Sequence, residues 1–200
     1  MYIPKPFQMT EPEAIDFILS NSFGMLISST ADYPLTTHVP FVFDPASRTV
    51  ITHVARANPH WHQVDGRPVT LAVSGPHAYI SPTWYGIDAS VPTWNYVTAQ
   101  IQGVCRVVDD HEELEQILDR TVRYFDPTSG LPSRAGESFY QTMMKAIVGL
   151  RIDVTQIEGA AKLSQNKAEE VRQRVIERLQ SSDAAMDRDV ARWMEAVRRR

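Results

Sequence analysis

The run Thr49-Val50-Ile51-Thr52-His53-Val54-Ala55, stopped shortly afterwards by Asn58-Pro59, constrains this chain more than any other stretch. β-Branched side chains favour an extended backbone, and the residue before a proline is pushed out of the helical region. Polar groups therefore collect at the end of a strand. Pro59 suits the first position of a short helix, so Arg56 and Asn58 would lie beside free backbone N–H groups, where a phosphate is well held. Arginine adds a planar fork of donors for the same anion. The plainer arrangement puts Arg56 in a surface salt bridge and leaves Asn58 to fill a turn. At this point both readings stay open.

The flanking sequence sets that strand among others. Thr10-Glu11-Pro12-Glu13 carries the signature of a helix start, and Ala14, Ile15, Ile18 and Leu19 follow as one apolar face. Met25 to Ser29 and Leu35 to Phe43 read as strands that form a three-stranded meander with the opening run. Val69 to Ser74 and His77 to Ile80 read as two further strands divided by Gly75-Pro76. A loop rich in Pro and aromatics runs from Ser81 to Tyr96. It leads into a long strand, Val97 to Val108, with a bulge or bend expected at Gly103.

Asp110 caps a second helix, with Leu114, Ile117, Leu118, Thr121, Val122 and Phe125 at helical spacing. Asp126 to Gly136 reads as a loop, Phe139 to Ile147 as a helix, Leu150 to Val154 as the last strand and Gly159 to Lys167 as a polar loop. The tail beyond is helical and charged, and the break at Ser181-Ser182-Asp183 makes it two helices. Several short antiparallel strands with a bent long one predict a small barrel, which leaves few exposed edges. The expected organisation is a mainly β fold with flanking helices (α+β): residues 1–167 form the barrel domain, and residues 168–200 form a helical extension packed on the barrel or on a dimer partner.

Composition narrows the function classes. A net charge of −4 gives no general attraction to nucleic acid or an acidic membrane. The single Cys105 excludes an intrachain disulfide and a thiolate zinc cluster. His53, His60 and His62 have no carboxylate or thiolate at ligand spacing, so no metal is expected. Ser74 is not on a nucleophile elbow, and Cys105 lies mid-strand, where a structural thiol is the default. With no signal-peptide pattern and no apolar run of spanning length, a soluble cytoplasmic protein is expected.

Five stretches are more polar or aromatic than a barrel needs. They are Leu35-Thr36-Thr37-His38-Val39-Pro40-Phe41, the Arg56-Asn58 segment, Gly75-Pro76-His77-Ala78-Tyr79-Ile80-Ser81-Pro82, Val91-Pro92-Thr93-Trp94-Asn95-Tyr96 and Lys162-Leu163-Ser164-Gln165-Asn166. In this order, and with the opening Met1-Tyr2-Ile3-Pro4, they resemble the PaiB family of transcriptional regulators. The resemblance implies an FMN-binding split β-barrel, a homodimer with the flavin mononucleotide (FMN) at the subunit interface, and negative regulation of sporulation and protease genes. By the same resemblance Arg56 and Asn58 mark the phosphate end of the flavin site, and Lys162, Ser164, Gln165 and Asn166 form a second polar clamp. Thr37, His38 and Val39 line the ring with strand backbone, while Trp94 and Asn95 come from the partner subunit. DNA as a partner rests on the family alone, since no helix-turn-helix with a basic recognition helix is seen.

The residues themselves leave other roles open. Trp84, Tyr85 and Trp94 also suit core or dimer packing, and Ser164 also suits the N-cap of the tail helix. An FMN-dependent oxidoreductase of the flavin reductase type would use the same site, and no catalytic residue is assigned. A haem-binding or haem-degrading split barrel is a further alternative, weakened because no His follows His111. Arg134 is a cation left without a role.

Overall fold

The computed structural model describes residues 1–87, 90–130 and 137–198. Among these residues seven strands form one sheet: β1 (Phe23–Ser28), β2 (Leu35–Pro40), β3 (Val42–Asp44), β4 (Thr49–Ala55), β5 (Arg67–Ile80), β6 (Thr93–Val108) and β7 (Ile147–Lys162). Their order is β2-β1-β5-β6-β7-β4-β3. The pairs β1/β2, β1/β5, β3/β4 and β4/β7 are antiparallel. The helices are α1 (Glu11–Leu19), α2 (His111–Phe125), α3 (Ser138–Met144), α4 (Glu169–Gln180) and α5 (Ala185–Arg198). The caps read from sequence form as expected. Glu13 accepts from the Thr10 N–H at 2.7 Å, and Asp110 accepts from the Glu113 N–H at 3.0 Å.

Four strand assignments change. Leu35 to Phe43 is two strands, not one, because Pro40 ends β2 and the Phe41 N–H turns to the Ser22 carbonyl at 3.0 Å. β2 and β3 then lie at opposite edges of the sheet, so the expected meander is instead two hairpins. Gly75-Pro76 does not split β5. The buried positions of that strand are Val69, Leu71 and Val73 before the dipeptide and Ala78 and Ile80 after it, so the dipeptide shifts the inward face by one residue. β6 starts at Thr93 and β7 continues to Lys162, which makes Thr93 to Tyr96 and Gly159 to Lys162 strand rather than loop.

The chain forms two compact units, and β5, β6 and β7 contribute to both. One holds residues 15–73 and 100–157. Within it β2 comes back toward β4, where the Thr52 hydroxyl donates to the Pro40 carbonyl at 2.6 Å. Helix α2 covers β3 and β4, and Val42, Ile51, Val108 and Ile117 form a core cluster. The other unit holds residues 1–14, 74–99 and 158–200. There α4 packs on α5 and on the 3-10 turn Pro82–Tyr85, and Arg174 donates to the Tyr85 carbonyl at 2.6 and 3.0 Å.

Gly103 lies inside an uninterrupted strand, where the need for glycine is a close approach. A Cβ placed there would meet the Asp153 carbonyl oxygen at 2.4 Å and Ile152 Cγ2 at 2.7 Å. Backbone cannot yield as a flexible side chain can. Gly103→Ala is expected to lower stability by about 1–3 kcal/mol, the usual cost of overpacking, measured as a shift in the urea midpoint at unchanged slope.

Candidate functional site

In the unit of residues 15–73 and 100–157 the strand-end segment folds as its sequence suggests, and its polar atoms are used within the protein. Pro59 opens a 3-10 turn through Gln63, and Asn58 caps it by accepting from the His60 N–H at 2.9 Å. The Asn58 amide also donates to the Thr37 hydroxyl at 3.2 Å. His60, only 2% exposed, lies between the Thr37 hydroxyl at 2.8 Å from Nδ1 and the Ser28 hydroxyl at 2.8 Å from Nε2. Burial holds its imidazole below the ordinary value. Ser28, Thr37, Asn58 and His60 thus form one satisfied network, and sequence had offered His60 only as a discarded metal ligand.

Arg56 forms the surface salt bridge of the plainer arrangement. Its guanidinium meets Asp109 with both terminal nitrogens, at 2.5 and 3.3 Å, and also donates to the carbonyls of Lys145 and Ile147. The guanidinium beside Asp109 holds that carboxyl below the usual carboxylate range. A fork engaged in four hydrogen bonds is poorly placed to grip a phosphate as well. On β2 Val39 is buried, whereas His38 is exposed and stacks with Phe23 at a centroid distance of 6.0 Å. β2 is an edge strand, so one row of its backbone groups is free of sheet partners.

In the other unit, the early start of β6 decides the roles of Trp94 and Asn95. Successive side chains of a strand point to opposite faces. Asn95 is fully buried: its Oδ1 accepts from the Ser164 hydroxyl at 3.1 Å, and its Nδ2 contacts the Met194 sulfur at 3.4 Å. A contribution of the Asn95 amide to a partner subunit does not fit that burial. Trp94 takes the opposite direction and is half exposed, with His77 and Tyr79 at ring centroid distances of 5.6 and 6.2 Å. The sequence singles out the stretch that holds His77 and Tyr79 but gives neither residue a role. Their alternation on β5 was the available signal, hidden by reading Trp94 as part of a loop.

The second polar stretch behaves as a tight turn. Ser164 is buried with a φ of 62°, in the left-handed region, and does not cap α4, whose N-cap is Ala168. Gln165 closes the turn, accepting from the Leu163 N–H at 2.7 Å and donating to the Ala161 carbonyl at 2.5 Å. Lys162 donates to the Thr93 hydroxyl at 2.5 Å, and Asn166 is exposed. Tyr85 is a core residue, with the Lys167 ammonium 5.0 Å from its ring centroid. Cys105 is buried, and desolvation, followed by the nearby Asp65 and Asp153, pushes its thiol up to about 12. Among the described residues no group of three His, Cys, Asp or Glu is placed to hold a metal. Arg134 lies outside the described residues.

With this geometry in hand, a family model described as "Putative FMN-binding domain" matches residues 1–156. "Protease synthase and sporulation protein PAI 2" of Bacillus subtilis (strain 168) is 34% identical over 202 residues, which is 98% of this chain and 97% of that protein. Among solved structures, the flavocytochrome Anf3 from Azotobacter vinelandii gives a TM-score of 0.64 at 15% identity, covering 82% of this chain and 74% of that one. The FAD and heme binding protein from Mycobacterium smegmatis gives 0.63 at 16% identity, covering 82% and 78%. At such identities these two structures support the fold alone. The fold class is thus the flavin-binding split barrel with a helical C-terminal tail. The chain belongs to the PaiB-type family of FMN-binding domains, with FMN as its cofactor. No helix among the described residues is long and apolar enough to cross a membrane.

The buried His60 makes stability depend on pH. Folding holds the imidazole below its ordinary value of 6.5, so the unfolded chain takes up the proton more readily. Stability is then fully present above the ordinary value, falls as the pH drops below it, and levels off below the folded value. His53 is shifted in the same direction by burial and adds to the effect. His60→Gln is expected to flatten urea midpoints measured between pH 7.5 and 5.5, relative to the parent, even if it lowers all of them.

Proposed function

We propose that this protein is an FMN-binding, PaiB-like negative regulator that works as a cytoplasmic homodimer with its flavin at the subunit interface. The observation that carries the reading is the 34% identity to PAI 2 over nearly the whole of both chains. Two surfaces suit a flavin in a dimer. One is the exposed Trp94 with His77 and Tyr79, an aromatic wall for a flat ring. The other is the outer edge of β2 at Thr37, His38 and Val39, whose backbone groups suit the hydrogen-bonding rim of an isoalloxazine.

Lys162 and Asn166 would supply the polar donors, Lys162 by exchanging Thr93 for phosphate. Arg56, Asn58, Asn95, Ser164 and Gln165 act as positioning residues, because their polar atoms are already spent on the surrounding backbone and side chains. When bound, FMN supplies reversible acceptance of electrons, and the chain's own residues bind and orient it. With a net charge of −4, a DNA contact would depend on a local patch rather than on the field of the whole molecule.

Titration of flavin-free protein is expected to show tighter binding of FMN than of the dinucleotide, since no Gly-rich G-x-G-x-x-G turn is present for a pyrophosphate. Trp94→Ala should cost about 0.5–1.5 kcal/mol of FMN affinity, the scale of one aromatic stacking contact. Arg56→Ala should leave FMN affinity within about threefold (a change under 1 kcal/mol) while lowering the melting temperature. A tenfold loss of affinity in Arg56→Ala would return the phosphate to that residue.

Sedimentation of the FMN-loaded protein is expected to give a dimer, and a monomer that retains flavin would overturn the interface reading. Anaerobic mixing with NADH or NADPH should bleach the flavin slowly or not at all. Bleaching at rates of roughly one per second or more, within the range of ordinary turnover, would replace the regulator with an FMN-dependent oxidoreductase.

A further inference from the structure

A cavity of about 710 Å³ opens in the unit of residues 15–73 and 100–157, and none of the flavin-site candidates lines it. It lies among α2, α3 and the strands β4 and β7. Its apolar lining comes from Leu118, Val122, Met143, Met144 and Ile147, with Tyr140 and His53 adding aromatic surface. The volume is on the order of that of small-molecule sites, which run to several hundred Å³. Methionine and tyrosine faces are polarisable and suit a cation with an apolar body.

The apolar stripe of α2 explains the opening. Leu114 and Ile117 are buried against the sheet, whereas Leu118 and Val122, one step around the helix, are only half-buried and face the cavity. The charges around it are unequal. Asp119 is paired with Arg123 at 2.8 Å, and Arg120, the cation of the lining, is paired with Asp44 at 3.3 Å. Glu112 and Glu115 also line the cavity, and neither forms an ion pair among the described residues. His53 adds no opposing charge near neutral pH, since burial keeps its ring in the neutral form.

We infer that this cavity is a second small-molecule site, for an amphipathic organic cation whose apolar or aromatic body enters between α2 and α3 while its ammonium group meets Glu112 and Glu115. The inference rests on charge complementarity and cavity lining, and it does not depend on how the flavin is used. A neutral analogue gains the apolar contacts alone. An anionic analogue of the same shape meets two unpaired carboxylates and is rejected.

The test is calorimetric titration of the full chain, saturated with FMN, with three probes of one shape: 2-naphthylmethylamine, 2-naphthylmethanol and 2-naphthoate. The amine should bind at least tenfold more tightly than the alcohol, and the carboxylate should not bind measurably. Glu112→Gln with Glu115→Gln should reduce the advantage of the amine to threefold or less while leaving the alcohol unchanged. Val122→Trp, which fills the cavity, should abolish binding of both amine and alcohol while FMN is retained, so it reads the site independently of the charge variant. Absence of amine binding, equal binding of the carboxylate, an unchanged preference in the double variant, or displacement of the amine by excess FMN would each overturn the inference.

Discussion

A continuous strand allows each side chain one of two directions, and this rule decides which polar residues the protein keeps for itself. In β6 it sends Thr93 and Asn95 one way and Trp94 the other. Asn95 is thereby committed to Ser164 and the Met194 sulfur, where an unsatisfied amide would cost roughly 1–3 kcal/mol. Trp94 is left half exposed, beside the rings of His77 and Tyr79. Adjacent residues that look like a pair in sequence thus have separate fates. Ser164, whose hydroxyl meets that amide, holds its backbone in the left-handed region.

The strand-end segment shows the complementary principle, that polar groups gathered at a strand end satisfy one another. Arg56 joins the end of β4 to Asp109, which follows β6, and to the carbonyls at the start of β7. Asn58, Thr37, His60 and Ser28 satisfy one another a few residues further on. These contacts fix a turn that would otherwise expose several backbone donors. Polar density at a strand end therefore identified a place of structural importance, and the same density was available to be read as a binding site.

Much of this was legible because local chemistry agreed with the outcome. The capping box at Thr10 and Glu13, the Asp110 cap, the Asn58-Pro59 turn and the break at Ser181-Ser182-Asp183 all formed where their residues indicate. The five polar and aromatic stretches pointed to the family that the comparisons support. What failed was strand length and partnership. Gly75-Pro76 looks like a terminator by composition, yet it lies in a strand that accommodates it by changing inward face. Pro40 ends β2 and sends the chain to the opposite edge, although the apolar residues on either side of it read as one strand. Whether Arg56 meets a carboxylate of its own chain or a ligand depends on Asp109, which is distant in sequence and invisible to any local pattern. The cavity beside α2 was hidden for the same reason, since a helical stripe does not reveal how much of its width the sheet will cover.

Cys105 gives the chain a particular chemical character. It is the only cysteine, fully buried in β6, with a thiol whose ionisation is pushed up to about 12. Peroxide and disulfide reagents act on thiolates, and this group offers almost none near neutral pH. The protein has no sulfur pair to open or close and no accessible sulfenic acid to form. Oxidants and disulfide reagents therefore find little to act on at Cys105, which serves the sheet as a packing residue and not as a redox handle.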